Sequence, residues 1–215
     1  MDSRKSWFWM VAFCCVLISL AGCTAGEQLD CPVPTEMMSG THEGLVPYTI
    51  QNDSCTTLCS INISPTRCDD WGFDWIRDDS LRSGESVTVY LQPGKYDVLL
   101  EECTDREYVI ERQMVDGENR LDLINDDDTD LRSCQASVTV VNQTDVPICH
   151  MWIATGESES FGGNWLGSEQ ILPGEEMQFY VYPNTYDLKA EDCDFTVLRV
   201  ELEVEIDAHL DWLVK

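Results

Sequence analysis

Residues Cys59–Cys103 read CSINISPTRCDDWGFDWIRDDSLRSGESVTVYLQPGKYDVLLEEC, and residues Cys149–Cys193 read CHMWIATGESESFGGNWLGSEQILPGEEMQFYVYPNTYDLKAEDC. Extended back to Tyr48 and Val138, the two stretches overlie at a shift of 90 residues with no gap, and 14 of 56 positions are identical. Average composition gives roughly three or four by chance. The shared positions include Asn52/Asn142, Cys59/Cys149, Ile63/Ile153, Gly72/Gly162, Trp75/Trp165 and Gly84/Gly174. Tyr90/Tyr180, Pro93/Pro183, Tyr96/Tyr186, Asp97/Asp187, Glu101/Glu191 and Cys103/Cys193 continue the series. So long a period marks duplicated domains, not the shorter units of a solenoid.

Within each copy the hydrophobic period is two. Val87, Val89 and Leu91 share a face, as do Met177, Phe179 and Val181, and Cys149, Met151 and Ile153 form a third set that aims the Cys at the core. Pro93-Gly94 and Pro183-Asn184 read as turns leading into returning strands at Tyr96-Val98-Leu100 and Tyr186-Leu188-Ala190. Leu198, Val200, Leu202, Val204 and Ile206 alternate with Arg199, Glu201, Glu203 and Glu205, which predicts a strand buried on the aliphatic face. With Ser137–Asn142 and Leu210–Val214 this makes six or seven strands per copy and no sustained helical period after the N-terminal apolar run. The prediction is an all-β chain of two tandem antiparallel sandwiches, residues 47–125 and 136–215, joined by an acidic linker, residues 126–135. Cys149, Trp165 and Cys193 follow the immunoglobulin order of Cys, Trp and Cys, which suggests an intersheet bridge packed on a Trp. Glu101 and Glu191 replace the Tyr two residues before the second Cys, so the expectation is immunoglobulin-like architecture alone. The modules also resemble β-repeat modules of secreted bacterial proteins, a likeness that implies no activity.

Met1–Gly22 reads as a targeting segment: Arg4 and Lys5, then 14 uncharged residues from Trp7 to Leu20, too few for the roughly 20 of a membrane span. Leu20-Ala21-Gly22-Cys23 closes it and resembles the lipobox of bacterial lipoproteins. That resemblance implies a diacylglycerol thioether on Cys23, cleavage before it, a tether over residues 23–46 and residence in the cell envelope. Thr24 in place of Asp implies the outer membrane in a Gram-negative host. Two or three acyl chains, at about 0.8 kcal/mol per buried CH₂, make a durable membrane anchor.

Of 11 Cys, Cys14 and Cys15 leave with the leader and Cys23 takes the lipid; Cys31, Cys55, Cys59, Cys68, Cys103, Cys134, Cys149 and Cys193 remain. An even number in an exported chain predicts disulfides. Zinc is disfavoured because Cys55 and Cys59 have no second close pair. Recurrence in both copies predicts Cys59–Cys103 and Cys149–Cys193. Cys55 and Cys68 are absent together from the second copy, which suggests that they pair, leaving Cys31 with Cys134. Each bridge should add about 2–4 kcal/mol.

Without the leader, 11 Lys+Arg face 39 Asp+Glu, a net charge of −28. Nucleic acid, anionic lipid headgroups and other acidic partners are therefore disfavoured by long-range repulsion. The acid excess reads first as solubility in high salt. Asn125-Asp126-Asp127-Asp128-Thr129-Asp130 offers a calcium alternative through Asp126, Asp128 and Asp130, although Leu131 and Ser137 break the EF-hand pattern at loop positions six and twelve. Asp69, Asp70, Asp74, Asp78 and Asp79 read as solvated acids in the same way. His42, His150 and His209 join no recognisable catalytic order, and no nucleophile-elbow, zincin or phosphate-loop motif is present. Trp75 and Trp165 are expected in the cores. Trp71, Phe73 and Trp152 are the aromatic candidates for a protein or glycan contact. The sequence thus points to a non-catalytic, cofactor-free, lipid-anchored binding or structural protein, with calcium-dependent binding as the alternative.

Overall fold

The structure is a computed structural model that describes residues 43–124, 135–158 and 160–215. The leader, Cys23, Cys31, Cys134 and the acids Asp126, Asp128 and Asp130 lie outside the described residues. Among those described, the fold is all β, with twelve strands and no helix. The first repeat contributes β1 (Val46–Asp53), β2 (Leu58–Pro65), β3 (Ser86–Leu91), β4 (Gly94–Glu102), β5 (Glu107–Val115) and β6 (Asn119–Ile124). The second contributes β7 (Ala136–Asn142), β8 (His150–Thr155), β9 (Glu176–Val181), β10 (Asn184–Glu191), β11 (Val197–Ile206) and β12 (His209–Val214).

Four three-stranded sheets result, ordered β3-β1-β6, β2-β4-β5, β12-β7-β9 and β11-β10-β8, so the two repeats share one topology. Pairing is antiparallel except that the first and last strands of each repeat run parallel, β1 with β6 and β7 with β12. Alternation supplies the cores. Tyr48 and Ile50 of β1, Ile61 and Ile63 of β2, Val89 and Leu91 of β3, and Val98 and Leu100 of β4 close one cluster from both sheets of the first repeat. Val138, Met151, Ile153, Phe179, Leu188, Ile206 and Trp212 close the equivalent cluster in the second. Both repeats belong to one compact unit.

Several sequence expectations are corrected. The Pro93-Gly94 and Pro183-Asn184 segments are not hairpin turns, because β3 and β4, like β9 and β10, belong to different sheets. They carry the chain from one layer to the other, and neither Gly94 nor Asn184 has a positive φ. The disulfides Cys59–Cys103 and Cys149–Cys193 close as predicted. Cys59 lies in β2 and Cys103 directly after β4, while Cys149 directly precedes β8 and Cys193 follows β10; each bridge joins neighbours in one sheet, so neither is an intersheet bridge of immunoglobulin type. Nor does Cys149 reach the core: Met151 and Ile153 are fully buried, but Cys149 is half-buried and Cys193 is exposed. Cys55 and Cys68 are each disulfide-bonded. The eight residues of β2 separate them, a span of about 23 Å at roughly 3.3 Å per residue. One disulfide needs Cα atoms within about 7 Å, so these two do not pair with each other.

Strand β11 also departs from simple alternation. Arg199 and Glu201 lie opposite Ala190 and Leu188, both core residues, whereas Val200 lies opposite Lys189. Val200 and Leu202 are exposed accordingly (45% and 59%). The inward Arg199 lies over the Trp212 ring at 5.2 Å, and Trp212 Nε1 donates to Glu201 at 2.9 Å. A bulge at Glu203, φ 56°, then returns Val204 and Ile206 to the core. An extra residue in one strand reverses the facing of everything beyond it.

Candidate functional site

Residues identical between the repeats do the same structural work in each. Asn52 Nδ2 donates to the carbonyls of Thr56 and Leu81, both at 2.8 Å, and Asn142 Nδ2 to those of Val146 (2.9 Å) and Ile171 (2.8 Å). Tyr96 and Tyr186 hydroxyls donate to the carbonyls of Gln92 and Tyr182, both at 2.8 Å. Asp97 and Asp187 accept the N–H of the left-handed bulge residues Arg112 (2.7 Å) and Glu203 (2.8 Å). Asp74 and Asn164 accept from the backbone of Ile61 and Met151, both at 2.9 Å, ahead of the Trp. These shared residues are therefore scaffold.

The largest difference is the Trp loop. In the second repeat, Phe161-Gly162-Gly163-Asn164-Trp165 packs on the disulfide of the first. Gly163 N–H donates to the Cys103 carbonyl at 2.9 Å, and a Cβ on Gly163 would overlap the Cys59 sulfur. Cys103, fully buried, joins the second repeat's core, with Cys59 packed against it. Ser80 Oγ donates to the Trp165 carbonyl at 3.1 Å, Ser160 bonds to Asp105, and Arg82 pairs with Glu169 at 3.0 Å. Gly167, φ 56°, also abuts the backbone of Asp79 and Ser80 too closely for a side chain. The first repeat carries Phe73 and Arg77 at these two positions, the latter with the same backbone twist, φ 57°. Its loop cannot dock on a disulfide in this way. Trp165 is 1% exposed and Trp75 is half-buried against its own core, so both bear out the core expectation, to different degrees.

The aromatic candidates do not converge. Trp71 and Phe73 lie in the first repeat, with Phe73 packed 4.7 Å from Trp75, and Trp152 lies on β8 of the second. All three are half-buried. Among the described residues the most exposed aromatic is Phe195, at 67%, which sequence reading missed. It stacks on His150 at 4.2 Å, His150 stacks on Trp152 at 5.6 Å, and Lys189 Nζ sits 4.4 Å from the Trp152 ring. Ser60, Asn62 and Asp105 hold the corresponding positions in the first repeat. The signal was available there, in aromatic residues gained by one copy only.

Ser137, His209 and Asp211, which sequence reading left apart, come together across β7 and β12. Ser137 Oγ is 2.9 Å from His209 Nδ1, and His209 Nε2 is 2.9 Å from Asp211 Oδ1. The Ser137 N–H is spent on the Ala208 carbonyl, its Oγ already accepts from Gln178, and Asp211 lies in solvent.

Among the described residues no group of three or more His, Cys, Asp or Glu could hold a metal ion. The acids of the Trp loop are used locally: Asp70 accepts Gly72 N–H at 3.1 Å, and Asp79 accepts Ser80 N–H at 2.9 Å. Burial, reinforced by Asp78, raises the Asp74 carboxyl above its ordinary value despite its backbone donors. Among the described residues, cavities open between the repeats. One, about 610 Å³, runs past Trp75, Arg82 and Glu169; the other, about 210 Å³, is lined by Glu102, Trp165 and Tyr186.

These features define an all-β, disulfide-bonded chain with two repeats docked through a glycine-bearing Trp loop. No protein-family model and no curated protein matches it. Among solved structures it is similar to the TIE protein of Bacillus anthracis, at 10% identity and a TM-score of 0.27, over 79% of this chain and 34% of that one. The chain thus spans about a third of that protein's length.

Proposed function

We propose that the chain is an exported lipoprotein, anchored through Cys23, whose two immunoglobulin-like sandwich modules act in the cell envelope as a non-catalytic binding or structural pair. In a Gram-negative host the membrane is the outer one. The observation that carries this reading is the pair of disulfides closed at the repeat's own positions, Cys59–Cys103 and Cys149–Cys193. Such bridges suit an oxidising compartment, and Leu20-Ala21-Gly22-Cys23 supplies the matching address. The immunoglobulin-like reading draws on the period-two strands and on the Cys, Trp and Cys order of Cys149, Trp165 and Cys193. The modules bind a protein or glycan rather than transform one, a reading supported by the scaffold role of shared residues such as Asn52/Asn142 and Tyr96/Tyr186. Trp71, Phe73 and Trp152 offer the contacts. The test is fractionation with palmitate labelling. The wild type should label and partition with membranes, and Cys23→Ala should do neither; an unlabelled wild type would remove the anchor.

A further inference from the structure

We infer that the disulfide end of the second repeat is a docking surface for another protein, filled by a glycine-bearing loop of a basic partner that sets its backbone on Cys149–Cys193 and an arginine on Phe195. The inference deepens the binding reading of Trp152 and is independent of the anchor, so labelling at Cys23 and the test below fail separately.

The seam inside the molecule supplies the template. The disulfide end of the first repeat receives the loop Phe161–Trp165, with Gly163 N–H on the Cys103 carbonyl and Cys103 fully buried. A shift of 90 residues carries that end onto Cys149, His150, Cys193 and Phe195. The backbone agrees. Asp105 and Phe195 close the same turn, their N–H groups on the Glu102 and Asp192 carbonyls at 3.0 and 3.2 Å and their φ angles 65° and 61°. At this second end Cys193 and Phe195 are exposed. The chain's own first loop does not match it, because Phe73 and Arg77 stand where the seam needs Gly163 and Gly167. The occupant is thus a different chain.

Its chemistry follows from what changed between the two ends. Where the first repeat has Ser60, Asn62 and Asp105, the second has His150, Trp152 and Phe195. Their rings stack in series, Phe195 on His150 at 4.2 Å and His150 on Trp152 at 5.6 Å. The series already takes one cation, since Lys189 Nζ lies 4.4 Å from the Trp152 centroid. With one face on His150 and 67% of its surface exposed, Phe195 leaves its other face open. A left-handed turn suits Asp and is rarely taken by a bulky side chain. Nor does the turn need the ring, because Asp192 Oδ1 holds it by accepting from Asp194 and Thr196 N–H at 2.9 and 2.8 Å. In the seam the carboxylate of Asp105 meets Ser160. A ring face in its place takes a guanidinium, and Asp194 beside it and the net charge of −27 favour a cation.

The test titrates the full chain with a cyclic peptide copying the seam loop, residues 160–167, and with versions carrying Ser160→Arg or Ser160→Glu. Binding is followed by calorimetry and by the Phe195 and His150 ring resonances, with sedimentation of the chain alone as the control for self-association. The Ser160→Arg peptide should bind at one per chain, about tenfold tighter than the unaltered loop, shift the Phe195 resonances and weaken as salt is raised. The Ser160→Glu peptide should not bind. Phe195→Asn, which suits the left-handed turn, should remove the preference for arginine and leave the melting temperature unchanged or higher. A lower melting temperature in Phe195→Asn would make the ring a structural one and overturn the inference. So would equal binding of the arginine and glutamate peptides, no binding of any peptide at millimolar concentration, or self-association of the chain through Phe195.

Discussion

Two positions govern the docking of the repeats, and both are read by comparing one copy with the other. Gly163 lets backbone meet the Cys59 sulfur, where Phe73 stands in the first repeat. Gly163→Phe should therefore cost about 1–3 kcal/mol by overpacking in denaturant unfolding, whereas Phe73→Gly, at a loop that seats on no disulfide, should not disturb the seam. Equal losses from the two would place the strain elsewhere. The same seam protects one disulfide. Cys103 is fully buried while Cys193 is exposed, so limited reduction with alkylation should label Cys149 and Cys193 before Cys59 and Cys103. Simultaneous labelling would mean that the seam opens freely in solution.

Among the elements, the fourth and fifth strands of each repeat carry the bulge that turns the fold from its simple pattern. Asp187→Ala should leave the Glu203 N–H unpartnered at a left-handed residue, and Asp97→Ala should do so at Arg112, each costing about 1–2 kcal/mol by thermal or denaturant unfolding. No loss at either site would mean that water replaces the carboxylate. Strand number, the Trp cores and the two repeat disulfides were legible in the sequence, because period two and recurrence at 90 residues depend only on local residue type and copy number. The facing of Val200 and Leu202 was not, since one bulge inverts a face without any change in composition. The pairing of Cys55 was illegible for a related reason. Joint absence from the second copy reports a shared role, but an eight-residue strand between two cysteines forbids their bond. Non-reducing peptide maps should contain no Cys55–Cys68 peptide. Of the candidate site, the aromatic residues were legible individually, while the seam cavity was not, because it arises only when two repeats meet.

At the scale of the whole molecule, net charge opposes compaction. A chain at −27 should gain stability from salt, which screens over about 10 Å at 0.1 M, and from mild acid. Burial raises Asp74 and Glu101, the latter helped by Glu107, Asp105 and Asp74. A raised carboxyl favours the protonated fold, so stability should increase as pH falls from 7 toward about 5 and the self-repulsion drops. Glu201 has the opposite sign: Trp212 and Arg199 hold it below its ordinary value, and its contribution is lost only as pH falls through that lower range. Melting temperature against pH should therefore peak on the acid side of neutrality; a steady decline from pH 7 downward would contradict this balance. All of it presupposes export into an oxidising space with a lipid on the new N-terminus. The intact mass of protein extracted from its host's membranes, without reductant, tests that most directly. The account predicts a chain beginning at Cys23, heavier by a diacylglycerol, with its eight remaining cysteines oxidised. A mass matching the unprocessed chain with free thiols would contradict it.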